Sequence, residues 1–140
     1  MIKYVVYICA MAYTLSAGEI AIVKMLKGQA SASMDAKVIN LSIGSVLDEK
    51  MIIQTKNNSS ATIVFNDSSV LVLGGNSIVN LKKYIFEPKR KSYEFKLVLK
   101  KGSATFESGD IGKLSPESFT FETPQGTVSI RGTKFAVKVD

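Results

Sequence analysis

Apolar and polar residues alternate with a period of two along most of this chain, in short runs separated by turn-forming residues. Ala61-Thr62-Ile63-Val64-Phe65 and Val70-Leu71-Val72-Leu73 flank Asn66-Asp67-Ser68-Ser69, and Gly74-Gly75-Asn76 precedes Ile78-Val79-Asn80-Leu81. Successive side chains of a strand point to opposite faces, so such runs predict strands with one buried face. The same grammar predicts strands at Glu19 to Leu26, Ala30 to Met34, Ala36 to Ile43 and Met51 to Thr55. It recurs at Tyr93 to Leu99, Ser103 to Phe106, Phe119 to Thr123, Gly126 to Ile130 and Lys134 to Val139. Lys27-Gly28-Gln29 and Lys56-Asn57-Asn58-Ser59-Ser60 read as turns. No window carries a helical period over three turns. The expectation is an all-β domain, and sandwich, barrel and solenoid all satisfy the pattern. The near-even spacing of Ile63-x-Phe65, Leu71-x-Leu73 and Ile78-x-x-Leu81 favours a β-solenoid-like stack of short strands, with a β-sandwich as the alternative.

The first seventeen residues follow another rule. Lys3 supplies a minimal positive region, Tyr4 to Leu15 is nearly continuously apolar, and Ser16-Ala17-Gly18 offers small residues for cleavage. Residues 1–17 are therefore expected to be a signal peptide, cut after Ala17, leaving 18–140 as one domain. The apolar run falls short of the ~20 residues of a spanning helix, and no transmembrane segment is expected after cleavage. An uncleaved N-terminal anchor is the competing reading.

Composition narrows the chemistry. The 140 residues contain no His, which removes the commonest general base and metal ligand. Cys9 is the one cysteine and lies in the leader, so a mature chain would carry no disulfide. No catalysis, cofactor or metal is expected. Net charge is +6, and +5 without Lys3. Lys82, Lys83, Lys89, Arg90, Lys91, Lys96, Lys100 and Lys101 face only Glu87 and Glu94 within one twenty-residue window.

The run Phe119-Thr120-Phe121-Glu122-Thr123-Pro124-Gln125-Gly126-Thr127-Val128-Ser129-Ile130-Arg131-Gly132-Thr133-Lys134-Phe135 resembles the signature of the FecR domain family: strand, Thr-Pro, short turn, hydrophobic strand, Arg-Gly-Thr and an aromatic. Asn66-Asp67-Ser68-Ser69 resembles the family's Asp-Gly-Ser/Thr turn, and Asn76-Ser77 stands where the family carries a Ser before its next strand. Lys101-Gly102-Ser103 and Ser108-Gly109 extend the likeness, which covers Ile43 to Val139. Two departures stand out. Ser68 replaces the usual Gly, so the turn is expected to rely on Asp67 or Asn66 for any left-handed residue. Lys50-Met51 replaces the usual Gly-Asp. The resemblance implies a solenoid-like stack in the cell envelope. FecR-type signalling proteins carry a cytoplasmic anti-sigma region and a transmembrane helix before this domain, and no such region is read here.

The structural motif residues are Thr123, Pro124, Gly126, Arg131, Gly132, Thr133 and Asp67. Arg131 beside Gly132 could grip a carboxylate or phosphate; the preferred reading is a bulge at Gly132, with Arg131 bonding carbonyls or a carboxylate such as Asp67. Pro124-Gln125-Gly126 is a turn. Asp67 with Asn66, Ser68 and Ser69 has the oxygens of a calcium loop but one carboxylate, which favours a turn motif. Ser77 has no base to activate it. Glu107 and Asp110 would be needed for a polysaccharide hydrolase, and their Ser-Gly setting argues for exposed charges. Lys82, Lys83, Lys89, Arg90 and Lys91 form a candidate polyanion patch interleaved with Tyr84, Phe86 and Tyr93. Its bland counterpart is a solvated hairpin. No nucleic acid is expected as partner; an envelope protein or an anionic polymer is.

These readings describe an exported, non-catalytic binding or scaffold module of the periplasm or cell surface. The alternatives are a truncated envelope sensor in sigma-factor signalling with a separate membrane partner and, more remotely, a polysaccharide hydrolase.

Overall fold

A computed structural model describes residues 18–128 and 134–139. The chain is all-β. Among the described residues twelve strands form one hydrogen-bonded sheet: β1 Glu19–Lys27, β2 Ala30–Met34, β3 Lys37–Asn40, β4 Val46–Asp48, β5 Ile52–Thr55, β6 Ser60–Phe65, β7 Val70–Leu73, β8 Ile78–Glu87, β9 Ser92–Glu107, β10 Phe119–Thr123, β11 Gly126–Val128 and β12 Lys134–Val139. A short helix α1, Asp110–Leu114, follows β9. The strand order is β3-β2-β5-β8-β9-β7-β6-β1-β4, with β10 and β12 attached to β9 and β11 to β10.

β9 organises this arrangement. Its first half pairs with β8 and, in parallel, with β10, while its second half pairs with β7 and β12. Gly102, at φ +94, lies between the halves. The sheet therefore has two halves, β4-β1-β6-β7-β9-β12 and β3-β2-β5-β8-β9-β10-β11, and it curls so that their inner faces meet. Phe65 and Phe106 of the first half pack on Tyr84, Phe95 and Phe119 of the second, with ring centroids 4.5–5.6 Å apart. Phe121 and Phe135 extend this aromatic seam at 5.3 Å. Edge-to-face and offset rings add about 0.5–1.5 kcal/mol per pair beyond area burial. In a cysteine-free domain this seam is a principal source of cohesion.

The alternation is borne out in the inner strands, while β1 breaks it at its bulges and β3 is exposed throughout. β6 is buried at Ala61, Ile63 and Phe65, and β7 at Leu71 and Leu73. The solenoid-like stack is not confirmed. Apart from β9–β10 the described ladders are antiparallel, whereas stacked coils would pair in parallel. Evenly spaced apolar segments are also produced by consecutive hairpins, so spacing alone does not select the topology. The separate strands expected at Tyr93 to Leu99 and Ser103 to Phe106 are one sixteen-residue strand. Ile78 to Leu81 likewise continues through Lys82 and Lys83 to Glu87. Charged residues read as breaks because they cannot be buried, but a strand with one wet face needs no break.

The Ser68 turn corrects a second expectation. Neither Asn66 nor Asp67 supplies the left-handed residue; Ser68 itself sits at φ +71, and Lys50 sits at φ +75. Both positions where this chain departs from the family's glycine keep the backbone a glycine would adopt.

Candidate functional site

Asp67 is fully buried at the β6–β7 turn. Its Oδ1 accepts from the Ser69 N–H at 3.2 Å and the Tyr84 hydroxyl at 3.0 Å, and its Oδ2 accepts from the Ser69 hydroxyl at 2.8 Å and the Ile111 N–H at 3.0 Å. The backbone joins in. Asp67 N–H donates to the Tyr84 hydroxyl at 2.9 Å, and Asp110 N–H donates to the Asp67 carbonyl at 2.8 Å. Gly109 N–H donates to Ser69 Oγ at 2.9 Å. One carboxylate thus ties the β6–β7 turn to β8 and to the start of α1. Glycine is required at position 109 because a Cβ there would overlap the Asp67 carbonyl and stand 2.5 Å from the Ser69 nitrogen. Burial pushes the Tyr84 phenol far above its ordinary value of 10.0, and the Asp67 charge adds to the effect.

A second network lies where β9 bends. Ser77 is fully buried; its N–H donates to Thr55 Oγ1 at 3.0 Å, and its hydroxyl donates toward the Ser103 and Gly75 carbonyls at 3.2 and 3.3 Å. Ser103 N–H donates back to Ser77 Oγ at 3.0 Å, and Thr55 Oγ1 donates to the Gly74 carbonyl at 2.6 Å. A Cβ on Gly102 would stand 2.5 Å from Ser77 Cα. Buried hydroxyls need partners, and these are consumed by the fold. Ser77 and Asp67 are structural pivots, as the turn reading of Asp67 anticipates. Its link to Tyr84, seventeen residues away, and to Ile111, forty-four away, is invisible in sequence.

The remaining motif residues divide. Thr123 caps its own hairpin: its hydroxyl donates to the Gly126 carbonyl at 3.0 Å and accepts from Gln125 N–H at 3.2 Å. Pro124 and Gly126 form the exposed turn between β10 and β11, with Gly126 at φ +147. Arg131, Gly132 and Thr133 lie outside the described residues, so neither the bulge nor the anion reading is placed. The four donors that fill the Asp67 carboxylate all come from other residues.

The basic residues are not gathered into one patch. Lys89 and Arg90 form an exposed 3-10 turn after Pro88, and Lys91 closes it at φ +53. Arg90 pairs with Glu87 at 3.4 Å, both well exposed. Lys83 lies about 13 Å back from the end of β8, four residues at about 3.3 Å each. It stands opposite Lys96, which pairs with Glu122 at 3.1 Å. Lys82 sits in a bulge; beyond it the Tyr84 N–H is taken by Glu49 Oε2 at 2.9 Å. Glu107 and Asp110 are both exposed. Among the described residues no group of three or more His, Cys, Asp or Glu is arranged to hold a metal.

Among the described residues β3, β4, β11 and β12 each pair with a single neighbour, and β3 is the one exposed along its whole length. β3 pairs only with β2, all four of its residues are exposed, and Val38 and Ile39 are apolar.

The FecR protein family matches residues 51–140, and the chain belongs to it. Ser69, Ser77, Gly102 and Gly109 of the two networks described above all lie within that stretch. No curated protein matches the chain. A solved structure described as "Cell surface anchoring domain" is similar at 27% identity, over 47% of this chain and 88% of that one, with a TM-score of 0.45. No described helix is long and apolar enough to cross a membrane.

Proposed function

We propose that the protein is an exported, non-catalytic binding or scaffold module of the cell envelope, and that β3 receives the partner. Membership of the FecR family supports an envelope role. The observation that carries the reading is the open edge of β3. An unpaired edge presents a row of backbone donors and acceptors that a partner strand satisfies, and flanking apolar side chains supply specificity. A photo-crosslinking residue in place of Ile39, in cells, tests it. A discrete adduct of one higher mass is expected from Ile39 and none from Gln125 on the opposite turn. No adduct from Ile39 would overturn the reading. Intact-mass measurement of envelope-derived protein tests export: the expected mass lacks residues 1–17.

A second reading concerns anionic polymers or headgroups at the β8–β9 hairpin tip. Its support is the cluster of Lys89, Arg90 and Lys91 on one exposed turn, countered only by Glu87.

A further inference from the structure

Regular pleating sends consecutive strand residues to opposite faces, yet the β8–β9 ribbon holds two pairs of consecutive lysines and buries none of them. The register explains how. The ladder pairs Leu81 with Leu97 and then Lys83 with Lys96, so Lys82 is an extra residue. It pairs Val79 with Leu99 and Ile78 with Lys101, so Lys100 is another. Each lysine pair is thus a β-bulge, in which two residues oppose one and side chains are re-aimed. Leu81, Tyr84, Leu97 and Leu99 remain buried on the inner face, while Lys82, Lys100 and Lys101 are exposed and Lys83 is half-buried. Both bulges therefore deliver both of their lysines to the outer face.

The result is a line of cations along the ribbon. Lys82, Lys83 and Lys96 share one row. Lys50 stands beside it, exposed, its N–H donating to the Leu81 carbonyl at 2.6 Å. Lys100 and Lys101 lie four and five residues beyond Lys96, about 13–16 Å at about 3.3 Å each. Between the rows Asn80 faces Val98, both half-buried and uncharged. Two carboxylates answer these six lysines: Glu122 pairs with Lys96 at 3.1 Å, and Glu49 Oε2 accepts from the Tyr84 N–H at 2.9 Å. Among the described residues none of Lys82, Lys83, Lys100 and Lys101 forms an ion pair.

The chemistry of the face says what covers it. Clustered cations repel one another and concentrate anions. The rings of the ribbon, Tyr84, Phe86, Tyr93 and Phe95, share the inner face, and no exposed large apolar residue lies on β8 or β9. The outer face thus has nothing to insert into a bilayer and no ring for a base to stack on. Lysine is a point charge without the planar fork that reads anion geometry. A long, narrow row of such charges matches a chain of anions.

We infer that the outer face of β8–β9 binds a linear anionic polymer laid along the ribbon, its charges held at the two lysine bulges. This site is separate from the open edge of β3 and from the hairpin tip at Lys89, Arg90 and Lys91.

Calorimetric titration of the exported protein with long-chain inorganic polyphosphate tests it. Binding is expected at low salt and should weaken steeply as salt is added. Tripolyphosphate, too short to reach from one bulge to the other, should bind about tenfold more weakly or less. Lys82→Ser with Lys83→Ser, and Lys100→Ser with Lys101→Ser, should each weaken long-chain binding about tenfold. The matching changes to Arg keep the charge and should stay within about threefold of the parent, as should Lys24→Ser with Lys27→Ser on the other half. Circular dichroism and urea midpoints confirm that each variant folds. Equal affinity for the two polyphosphates, or bulge variants that bind like the parent, overturns the inference. So does a loss confined to the triple change Lys89→Ser, Arg90→Ser, Lys91→Ser, which moves the polymer to the hairpin tip. Binding to anionic vesicles but not to polyphosphate, abolished by the bulge changes, overturns it in favour of a lipid surface.

Discussion

Replacing Asp67 by Asn changes one atom of a fully buried side chain and leaves its shape intact. The carboxylate accepts four hydrogen bonds, two on each oxygen. The amide keeps one accepting oxygen. Turned one way, its NH2 confronts the Ser69 hydroxyl and the Ile111 N–H; turned the other, it confronts the Tyr84 hydroxyl and the Ser69 N–H. A hydroxyl can rotate to accept, but a backbone N–H cannot, so either choice strands one buried donor. Such a donor costs about 1–3 kcal/mol, and losing the charge from the remaining bonds adds about 1 kcal/mol. Asp67→Asn should therefore destabilise by about 2–4 kcal/mol. Urea unfolding followed by circular dichroism measures it. With a slope of about 2 kcal/mol per molar, the midpoint should fall by about 1–2 M. Asp35→Asn, the same change on an exposed turn, should leave the midpoint within about 0.5 kcal/mol of the parent. Equal midpoints for the two variants would refute the claim that this carboxylate holds the β6–β7 turn to β8 and α1.

Ser68→Gly and Lys50→Gly should each stabilise by about 0.5 kcal/mol, because relief of a left-handed conformation costing about 1–2 kcal/mol exceeds the entropy glycine adds to the unfolded chain; thermal melts showing a loss would contradict it. Gly102→Ala and Gly44→Ala share a backbone, at φ +94 and +95, but only Gly102 meets a neighbour. Gly102→Ala should cost about 2 kcal/mol more than Gly44→Ala in urea, the excess reporting the overlap with Ser77. Because the folded state holds Tyr84 protonated well above its ordinary value, its contribution is fully present below about pH 10 and fades as pH rises past it; Tyr84→Phe should flatten that alkaline loss in a pH series of unfolding. Binding to anionic vesicles at low salt should fall steeply with added salt and largely vanish in the triple change Lys89→Ser, Arg90→Ser, Lys91→Ser, as screening shortens from ~10 Å at 0.1 M to ~3 Å at 1 M; equal sedimentation with neutral vesicles would end the anionic reading of the hairpin.

Period-two alternation is a local property, set by how consecutive side chains leave the backbone. It made the strands and their buried faces legible: Ile63, Phe65, Leu71 and Leu73 could be assigned to the core before any partner was known. The motif of the FecR family was legible for the same reason, since Thr123-Pro124 and Gly126 do their work within one turn. What the alternation could not carry is which strand lies beside which. Consecutive hairpins and stacked coils present the same spacing, so the curled sheet, with β9 shared between its halves, emerged only from the ladders. Asp67 shows the limit at a single residue. Its neighbours Asn66, Ser68 and Ser69 announced a turn, but the two elements it joins to that turn, β8 and α1, are brought there by chain closure over seventeen and forty-four residues. The same holds for the outer lysines. Lys82, Lys83, Lys96, Lys100 and Lys101 stand at mixed phases of two strands, and only the register of those strands, with its two bulges, aligns them on one face. Local sterics and burial preference thus determined the elements of this protein; the pairing order, which depends on contacts distant in sequence, decided its pivots and its surfaces.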